Sequence, residues 1–267
     1  MIEAMTRIGE RFQILQIEHR SALVPYVTPE FPVRGTTVPL VLTLEEAGAD
    51  LVELGVPFSD PIADGPTIQH SSAVALRNGV TLKKVLSLVH QIREKSEIPI
   101  VLMGYCNSFL RYGIRQFFKD AKTVGVDGLI VPDLPPEEAE VVMIAAKKNG
   151  IGMTFLIAPT TSATRIKLID KLSTEFSYCV SVTGVTGARR DLGAKRELIS
   201  FLKRVDANTK KPFVVGFGIS SAEQVREVCR YADGAVVGSA LIKSMEKCTS
   251  VSAAVRAARV FFRSLQS

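Results

Sequence analysis

Short apolar runs alternate with longer amphipathic segments along the whole chain. The short runs are rich in Val, Ile and Leu and are bounded by Gly, Pro and polar residues, which is typical of buried β-strands. They lie at Leu23–Thr28, Leu51–Val56, Ile98–Met103, Gly128–Val131, Gly152–Ile157, Tyr178–Ser181, Phe213–Phe217 and Gly234–Val237. The pattern therefore predicts eight strands.

The segments between these strands repeat their apolar residues at helical spacing. They lie at Val38–Ala47, Leu82–Lys95, Ile114–Val124, Pro136–Lys148, Ala163–Leu172, Lys195–Val205, Ala222–Tyr231 and Val251–Ser264, with Arg7–His19 before the first strand. Successive strand–helix units predict parallel strands closed into a (β/α)8 barrel, the TIM-barrel class, with an extra N-terminal helix. Because 267 residues suit one barrel and no linker divides them, we expect a single domain over residues 1–267.

Composition narrows the possible partners and the cellular location. The net charge is +6, but the basic residues are scattered over helix-like segments, which favours a solvated surface over a nucleic-acid site. The four cysteines are far apart and show no CxxC spacing, as expected of reduced packing residues in the cytoplasm. No run reaches the ~18 apolar residues of a membrane span, and no signal peptide is apparent. We expect a cytoplasmic protein that binds neither nucleic acid nor membrane.

The segment ELGVPFSDPIADGPT, from Glu53 to Thr67, carries the strongest chemical signal. Glu53 closes a buried strand, where a carboxyl group is either ionised in a pocket or kept neutral by desolvation, and both states suit acid–base work. Asp60 and Asp64 follow in a loop stiffened by prolines. Either Asp could instead serve a turn or cap a helix that begins near Thr67.

Glycine-rich segments follow the last three predicted strands. Ser181–Gly193 is too long for a tight turn and suggests a mobile lid, although a disordered surface loop has the same pattern. Gly216–Ser220 and Gly238–Ala240 place glycines where backbone N–H groups can approach an anion. Barrels often bind phosphate after the seventh and eighth strands, so two adjacent glycine turns favour phosphate over plain tight turns.

Other chemistries lack the required residues. The three histidines, His19, His70 and His90, have no partner at metal-ligand spacing. Neither a GxxxxGK[ST] loop nor a GxGxxG fingerprint after the first strand is present, which disfavours nucleotide and nicotinamide cofactors.

These motifs resemble those of the tryptophan synthase alpha subunit family. The match includes the Glu53–Thr67 segment, the Ser181–Ala188 loop, GFGIS from Gly216 to Ser220 and VGSA from Val237 to Ala240, in order and spacing. The resemblance runs from the first strand to the last helix, and the first motif is highly specific. It implies a carbon–carbon lyase that cleaves indole-3-glycerol phosphate to indole and glyceraldehyde 3-phosphate by a retro-aldol reaction without cofactor.

The resemblance also implies roles for the matching residues. Glu53 would be the mobile general acid and base, and Asp64 would accept the indole N–H. Asp60 matches a position that faces a partner subunit and is given no chemical role. Tyr178 and Thr186 are implied in the wall of the site, and Phe217 beside the substrate. Backbone N–H groups near Gly187, Gly218, Gly238 and Ser239 would bind the phosphate. The indole would be surrounded by Leu102, Ile130 and Ile157. The last three could equally be ordinary barrel packing.

A partner is implied as well, since family members usually pass indole to a pyridoxal-phosphate β subunit within an αββα heterotetramer. This chain should itself hold no pyridoxal phosphate. A free-standing indole-releasing lyase and a weakly active subunit that mainly activates its β partner stay open as alternatives. An isomerase or synthase on a similar barrel would be expected to use a catalytic Lys or Cys at the ends of strands. Lys is missing from the ends of the first three predicted strands.

The chain departs from the family pattern at two places. Thr28-Pro29-Glu30-Phe31-Pro32 follows the first strand where many members carry a Gly-Asp-Pro turn. Val182 precedes Thr183, where some members carry Arg. We expect the shape of the first loop and the anchoring of the lid to differ accordingly.

Overall fold

A computed structural model describes residues 5–180, 192–216 and 218–266 of the chain. Nine parallel strands in these ranges form one sheet with the order β5-β4-β3-β2-β1-β9-β8-β7-β6. The strands are β1 Ala22–Val27, β2 Val52–Gly55, β3 Ile100–Met103, β4 Gly128–Ile130, β5 Gly152–Thr154, β6 Leu156–Ile157, β7 Ser177–Val180, β8 Phe213–Gly216 and β9 Gly234–Val237.

The two ends of this sheet are consecutive in the chain, so the sheet forms a nearly closed barrel. The prediction of one continuous strand over Gly152–Ile157 was wrong, because β5 pairs with β4 whereas β6 pairs with β7. Phe155 lies between them, and its backbone N–H donates to Ser173 Oγ at 3.2 Å instead of to a strand. The (β/α)8 barrel with an extra N-terminal helix is otherwise confirmed.

Helices cover the outside of the barrel. They are α1 Arg7–Ile17, α2 Thr37–Glu46, α3 Pro66–Arg77, α4 Leu82–Arg93, α5 Cys106–Tyr112, α6 Ile114–Val124, α7 Glu140–Asn149, α8 Ala163–Leu172, α9 Leu192–Asp206, α10 Ala222–Val228, α11 Ser239–Met245 and α12 Val251–Ser264, with a 3₁₀ turn at Pro136–Glu138. None of the helices in the described ranges combines the length and the apolar composition of a membrane span.

Three helices, α3, α5 and α11, were not assigned full ranges from the sequence. Each follows a strand directly or after a short loop at the carboxyl end of the barrel. Two of them are only 7 residues long, too short for an apolar period to be distinguished from a turn. The third, α3, begins near the predicted Thr67, with Pro66 in its first turn, but its cap is Gly65 and not Asp64.

Apolar side chains lie on both faces of the strands, because one face points into the barrel and the other packs against helices. All four residues of β3 are buried, for example, and so are all four of β2. On α6, Phe117, Phe118 and Ala121 form the buried stripe, while the polar residues face solvent. Each buried Phe of this kind contributes about 1.5–3 kcal/mol through burial of its side chain.

Aspartates tie neighbouring strands together at the amino end of the barrel. Each carboxylate accepts a hydrogen bond from backbone N–H groups at or just before the start of an adjacent strand. The pairs are Asp50 with Leu23, Asp127 with Ile100, Asp170 with Lys210 and Lys211, and Asp233 with Phe213, at 2.7–3.2 Å. The interactions satisfy N–H groups that the parallel ladder leaves open at this end.

Asp127 also joins the N-terminal helix to the barrel. Arg93 and Arg7 each bind its carboxylate at 3.0 Å, from α4 and α1 respectively. The pKa of Asp127 is nevertheless raised, because desolvation outweighs the two guanidinium groups. Arg7 reaches Glu97 as well, which lies at the surface. The network fixes the position of α1 against the strands.

We expect Asp127→Ala to destabilise the protein by about 3–5 kcal/mol, because the mostly buried Arg93 would lose its counter-charge. Urea unfolding followed by circular dichroism measures the change. Glu97→Ala, which removes the exposed partner of Arg7, is the matched control and should cost about 1 kcal/mol or less. Equal costs for the two variants would contradict the role of burial.

Candidate active site

A cavity of about 260 Å³ opens at the carboxyl end of the barrel. Its wall includes two carboxyl groups, Glu53 and Asp64, and two phenols, Tyr26 and Tyr178. The turns after β8 and β9 and the helix α11 complete it with Gly218, Ile219, Ser220, Gly238, Ser239 and Lys243. The position agrees with the rule that barrel enzymes build their sites on the loops after the strands.

Glu53 lies inside the barrel on β2, paired in register with Tyr26 on β1 and Val101 on β3. Its side chain is 1% exposed, and neither carboxyl oxygen has a hydrogen-bond partner of normal geometry within the described residues. Its pKa is raised to about 8, because burial and the charge of Asp64 outweigh the Tyr178 hydroxyl group, which lowers it. Glu53 therefore holds a proton at neutral pH.

Two glycines make room for the phenols beside Glu53. A Cβ atom on Gly55 would lie 2.1 Å from the Tyr26 hydroxyl, and one on Gly216 would lie 2.0 Å from the Tyr178 hydroxyl. Each phenol thus leans over a glycine on the neighbouring strand, β2 or β8. Any larger residue at these positions would push a phenol into the cavity.

Asp64 approaches Glu53 from the loop after β2. Its backbone N–H donates to Pro61 O at 3.0 Å, and Gln69 Nε2 donates to its carbonyl at 2.9 Å, which fixes the turn. The pKa of its carboxyl group is raised to about 6, because burial outweighs the nearby Tyr105 hydroxyl group, which lowers it. Because Gly65 is the cap of α3, the Asp64 side chain is free to line the cavity.

A further part of the cavity wall, the glycine side, is built from glycine turns after β8 and β9. Gly218 has a φ of +82°, a conformation that favours glycine. Gly238 and Ser239 mark the start of α11, and Lys243 follows one helical turn later on the same face. Backbone N–H groups and one ammonium group therefore line the same cavity as the two carboxyl groups.

The structure brings together six of the nine site residues predicted from the sequence: Glu53, Asp64, Tyr178, Gly218, Gly238 and Ser239. Thr186, Gly187 and Phe217, and most of the predicted lid, lie outside the described residues. Leu102, Ile130 and Ile157 are fully buried in the barrel, while Met103, Ile68 and Val236 contribute the apolar lining. Asp60 is exposed, and its carboxylate accepts a hydrogen bond from the Ser59 hydroxyl group.

Three residues of this region were not singled out from the sequence: Tyr26, Tyr105 and Lys243. The strand register could have indicated Tyr26, since it stands beside Glu53 on the same face of the sheet. The spacing of Lys243 from Ser239 is helical and could also have been noticed. Tyr105 had no sequence signal, because its contact with the Asp64 loop depends on how that loop folds.

The unusual segment after β1 has a defined structure outside the cavity. Glu30 is buried with a φ of +56°. Its carboxylate accepts hydrogen bonds from Thr37 Oγ1 at 2.9 Å and from the Gly35 N–H. Its own N–H donates to Thr37 Oγ1 at 2.7 Å, and its carbonyl accepts from Asn78. The loop is thus organised around one buried carboxylate rather than around a Gly-Asp-Pro turn.

The described residues contain no group of three or more His, Cys, Asp or Glu side chains that could hold a metal ion. All four cysteines are free thiols, and Cys179 is buried in β7. The fold and the cavity together define a class: a barrel enzyme with two carboxyl groups of raised pKa facing glycine turns. Such a site suits acid–base chemistry on a small anionic substrate.

Comparison with known proteins identifies the family. Residues 12–266 match the family described as Tryptophan synthase alpha chain. The tryptophan synthase alpha chain of Roseiflexus castenholzii is 51% identical over 244 residues, which cover 91% of this chain and 93% of that protein. That of Prosthecochloris aestuarii is 46% identical over 263 residues, covering 96% and 98%.

Solved structures agree. The crystal structure of tryptophan synthase subunit alpha from Legionella pneumophila has a TM-score of 0.90 at 36% identity and covers 98% of each chain. A chain of the tryptophan synthase complex from Pyrococcus furiosus has a TM-score of 0.82 at 39% identity, covering 92% of this chain and 97% of that one. The chain therefore belongs to the tryptophan synthase alpha chain family, which confirms the lyase of tryptophan biosynthesis expected from the sequence.

We expect Glu53→Gln to stabilise the protein at alkaline pH. Since the pKa of Glu53 rises from 4.5 to about 8 on folding, the folded state binds the proton more tightly, and stability is lost as pH rises through this interval. Gln cannot ionise, so the variant should gain about 1–3 kcal/mol over the wild type at pH 9 and almost nothing at pH 4.5.

Thermal unfolding at the two pH values measures this difference. Glu138→Gln, which removes an exposed carboxylate, is the control and should change stability by less than about 0.5 kcal/mol at either pH. A Glu53→Gln variant that is less stable than the wild type at pH 9 would show that the buried carboxyl group has a compensating partner.

Proposed function

We propose that this chain cleaves indole-3-glycerol phosphate to indole and glyceraldehyde 3-phosphate, with Glu53 as general acid and base. The observation that carries the proposal is the buried Glu53 carboxyl group, which has no hydrogen-bond partner of normal geometry among the described residues and faces a cavity with a second carboxyl group. Membership of the alpha chain family supports the same reaction.

The reaction requires one proton to enter and one to leave. Protonated Glu53 gives its proton to indole C3, and the positive charge spreads to the indole nitrogen. The Glu53 carboxylate then takes the proton of the glycerol hydroxyl while the carbon–carbon bond breaks. The electrons of that bond return to the ring, so indole and the aldehyde leave with Glu53 reprotonated.

The two carboxyl groups are suited to different roles because their pKa values differ. Near pH 7, Glu53 with a pKa of about 8 is mostly protonated, and Asp64 with a pKa of about 6 is mostly ionised. Asp64 can therefore accept the indole N–H and stabilise the positive charge, while Glu53 supplies the proton. A pair of carboxyl groups whose pKa values differ in this way is typical of acid–base enzymes.

In this proposal the substrate phosphate binds on the glycine side of the cavity. Backbone N–H groups near Gly218, Gly238 and Ser239 can approach its oxygens, and the resemblance adds Gly187 and Phe217. Tyr178 and Thr186 complete the wall around the substrate in this proposal. Lys243 would add a positive charge, since it lines the same side of the cavity.

We extend the proposal to a β subunit that consumes the indole, in an αββα assembly in the cytoplasm, with residues 1–267 as one domain. The family is named for one chain of tryptophan synthase, and the Pyrococcus furiosus structure is that of a tryptophan synthase complex. An exposed apolar side chain supports a partner near Asp60, since Ile62 in the same loop is 85% exposed.

The test is indole release from indole-3-glycerol phosphate by the purified chain, with and without a β subunit. We expect Glu53→Gln and Asp64→Asn each to reduce kcat by about 10²–10⁴-fold, because each removes a group that acts on the reacting atoms. Glu138→Gln is the control for an exposed carboxylate and should retain full activity.

The same assay separates the alternatives. Release that rises when a β subunit is added supports the alpha-subunit role, and high release without it supports a free-standing lyase. No release under either condition, with a β subunit still activated, would leave a regulatory subunit and refute the catalytic proposal.

We expect Lys243→Met to raise KM for the phosphorylated substrate by about fivefold with little change in kcat, because a partly exposed charge pair contributes up to about 1 kcal/mol. Steady-state kinetics at low and high salt measure the effect, which should shrink as salt screens the charge. Lys247→Met, on the segment after α11 and outside the cavity lining, is the control. A change in kcat alone would contradict a role in phosphate binding.

A further inference from the structure

We infer that Tyr105 is a positioning residue for Asp64: its single hydroxyl group ties the loop after β2 to the end of β3 and orients the Asp64 carboxylate toward the substrate. The inference rests on the proposed function, because it explains how a group of the same site is held. Tyr105 itself is not placed against the reacting atoms.

The hydroxyl group of Tyr105 serves two neighbours in the Asp64 loop. It accepts the backbone N–H of Ala63 at 2.9 Å, and it stands close enough to the Asp64 carboxyl group to lower the pKa of that group. A phenol has one proton to donate. Since the contact with Ala63 uses an oxygen lone pair, the proton can be directed at the carboxylate, where it favours the ionised form of Asp64.

The ring that carries this hydroxyl is buried and stacked on a second ring. Tyr105 is 4% exposed, and its ring stacks on Phe58 with centroids 5.2 Å apart and planes 21° apart. The next residue, Cys106, donates its N–H to Asp133 Oδ1 at 2.9 Å, which fixes the start of α5. Because the ring has little freedom to move, the position of its oxygen fixes the positions of Ala63 and Asp64.

The charges around Asp64 come from several elements. Glu53, Tyr26 and Tyr178 interact with it from β2, β1 and β7, Tyr105 does so from the end of β3, and Lys243 on α11 lines the same cavity. The pKa of Asp64 is raised to about 6 because burial outweighs the Tyr105 hydroxyl group, which among the described groups is the one that lowers it. Without that hydroxyl, Asp64 would be protonated over a wider pH range and would balance the indole charge less well.

The matched pair of variants is Tyr105→Phe and Tyr112→Phe. Both remove a tyrosine hydroxyl group that lies beside an aspartate, but Tyr112 donates to Asp120 Oδ2 at 2.8 Å, at the far end of α5 and outside the cavity lining. Tyr105→Phe keeps the ring and its stack, so the fold should persist, and thermal unfolding of each variant checks this.

For Tyr105→Phe we expect the acidic limb of the kcat/KM profile to move up by about one pH unit, the size of one lost charge-assisted hydrogen bond. Activity should fall about fivefold at pH 6 and stay within about twofold of the wild type at pH 8. Tyr112→Phe should leave the profile unchanged. An equal loss at every pH, or no loss, would overturn the inference.

A second measurement does not depend on catalysis. The pKa of Asp64 can be followed by carbon NMR on protein labelled at aspartate carboxyl carbons, with Asp64→Asn to assign the signal. We expect Tyr105→Phe to raise this pKa by about one unit and Tyr112→Phe to leave it unchanged. A wild type that releases no indole would refute the proposed function, whereas an unshifted Asp64 signal would refute the role of Tyr105.

Discussion

The burial of the Glu53 carboxyl group without a hydrogen-bond partner of normal geometry among the described residues is the constraint on which the site depends. Asp50, at the other end of the same strand region, is buried too, but Arg20 binds both of its oxygens and the Leu23 N–H binds one of them. Neighbouring groups can therefore supply the hydrogen bonds and the counter-charge that a buried carboxyl group requires. Glu53 lacks them, so it keeps its proton, and a group that keeps its proton at neutral pH can act as an acid.

This contrast divides the barrel into two ends. At the amino end, carboxylates bind strand N–H groups and guanidinium groups, and their role is to hold the strands together. At the carboxyl end, Glu53 and Asp64 are directed into a cavity, and their stabilisation is left incomplete. The stability gained at the amino end allows a buried carboxyl group with incomplete hydrogen bonding to persist at the carboxyl end.

The sequence was sufficient for the fold because the barrel pattern is repeated many times. Buried parallel strands are apolar on both faces, and amphipathic helices separate them, so an error at one element does not change the architecture. The predictions differ from the structure where local pattern is weak. Phe155 breaks the fifth strand because barrel closure redirects its N–H, and α5 and α11 are too short for their period to be seen.

The sequence predicted those residues of the candidate site whose type and position are unusual by themselves. Glu53 stood out because a carboxyl group at the end of a buried strand is rare. Tyr105 could not be found in this way, because its hydroxyl group accepts a hydrogen bond from the backbone N–H of Ala63. Every residue except proline has such an N–H group, so the sequence does not indicate which one is bound. The alternative role of Asp64 as a helix cap was likewise decided by geometry, because Gly65 occupies that position.

The two carboxyl groups cannot be tuned independently. The charge of Asp64 raises the pKa of Glu53, so any contact that keeps Asp64 ionised also helps Glu53 to keep its proton. Tyr105 makes such a contact, and it does so from the start of α5, next to the loop that exposes Ile62. A partner that ordered this loop would strengthen the contact and thereby favour both protonation states that the reaction needs. In this arrangement the acid strength of a buried group depends on the order of a surface loop, which gives a binding event outside the barrel a physical route to the chemistry inside it.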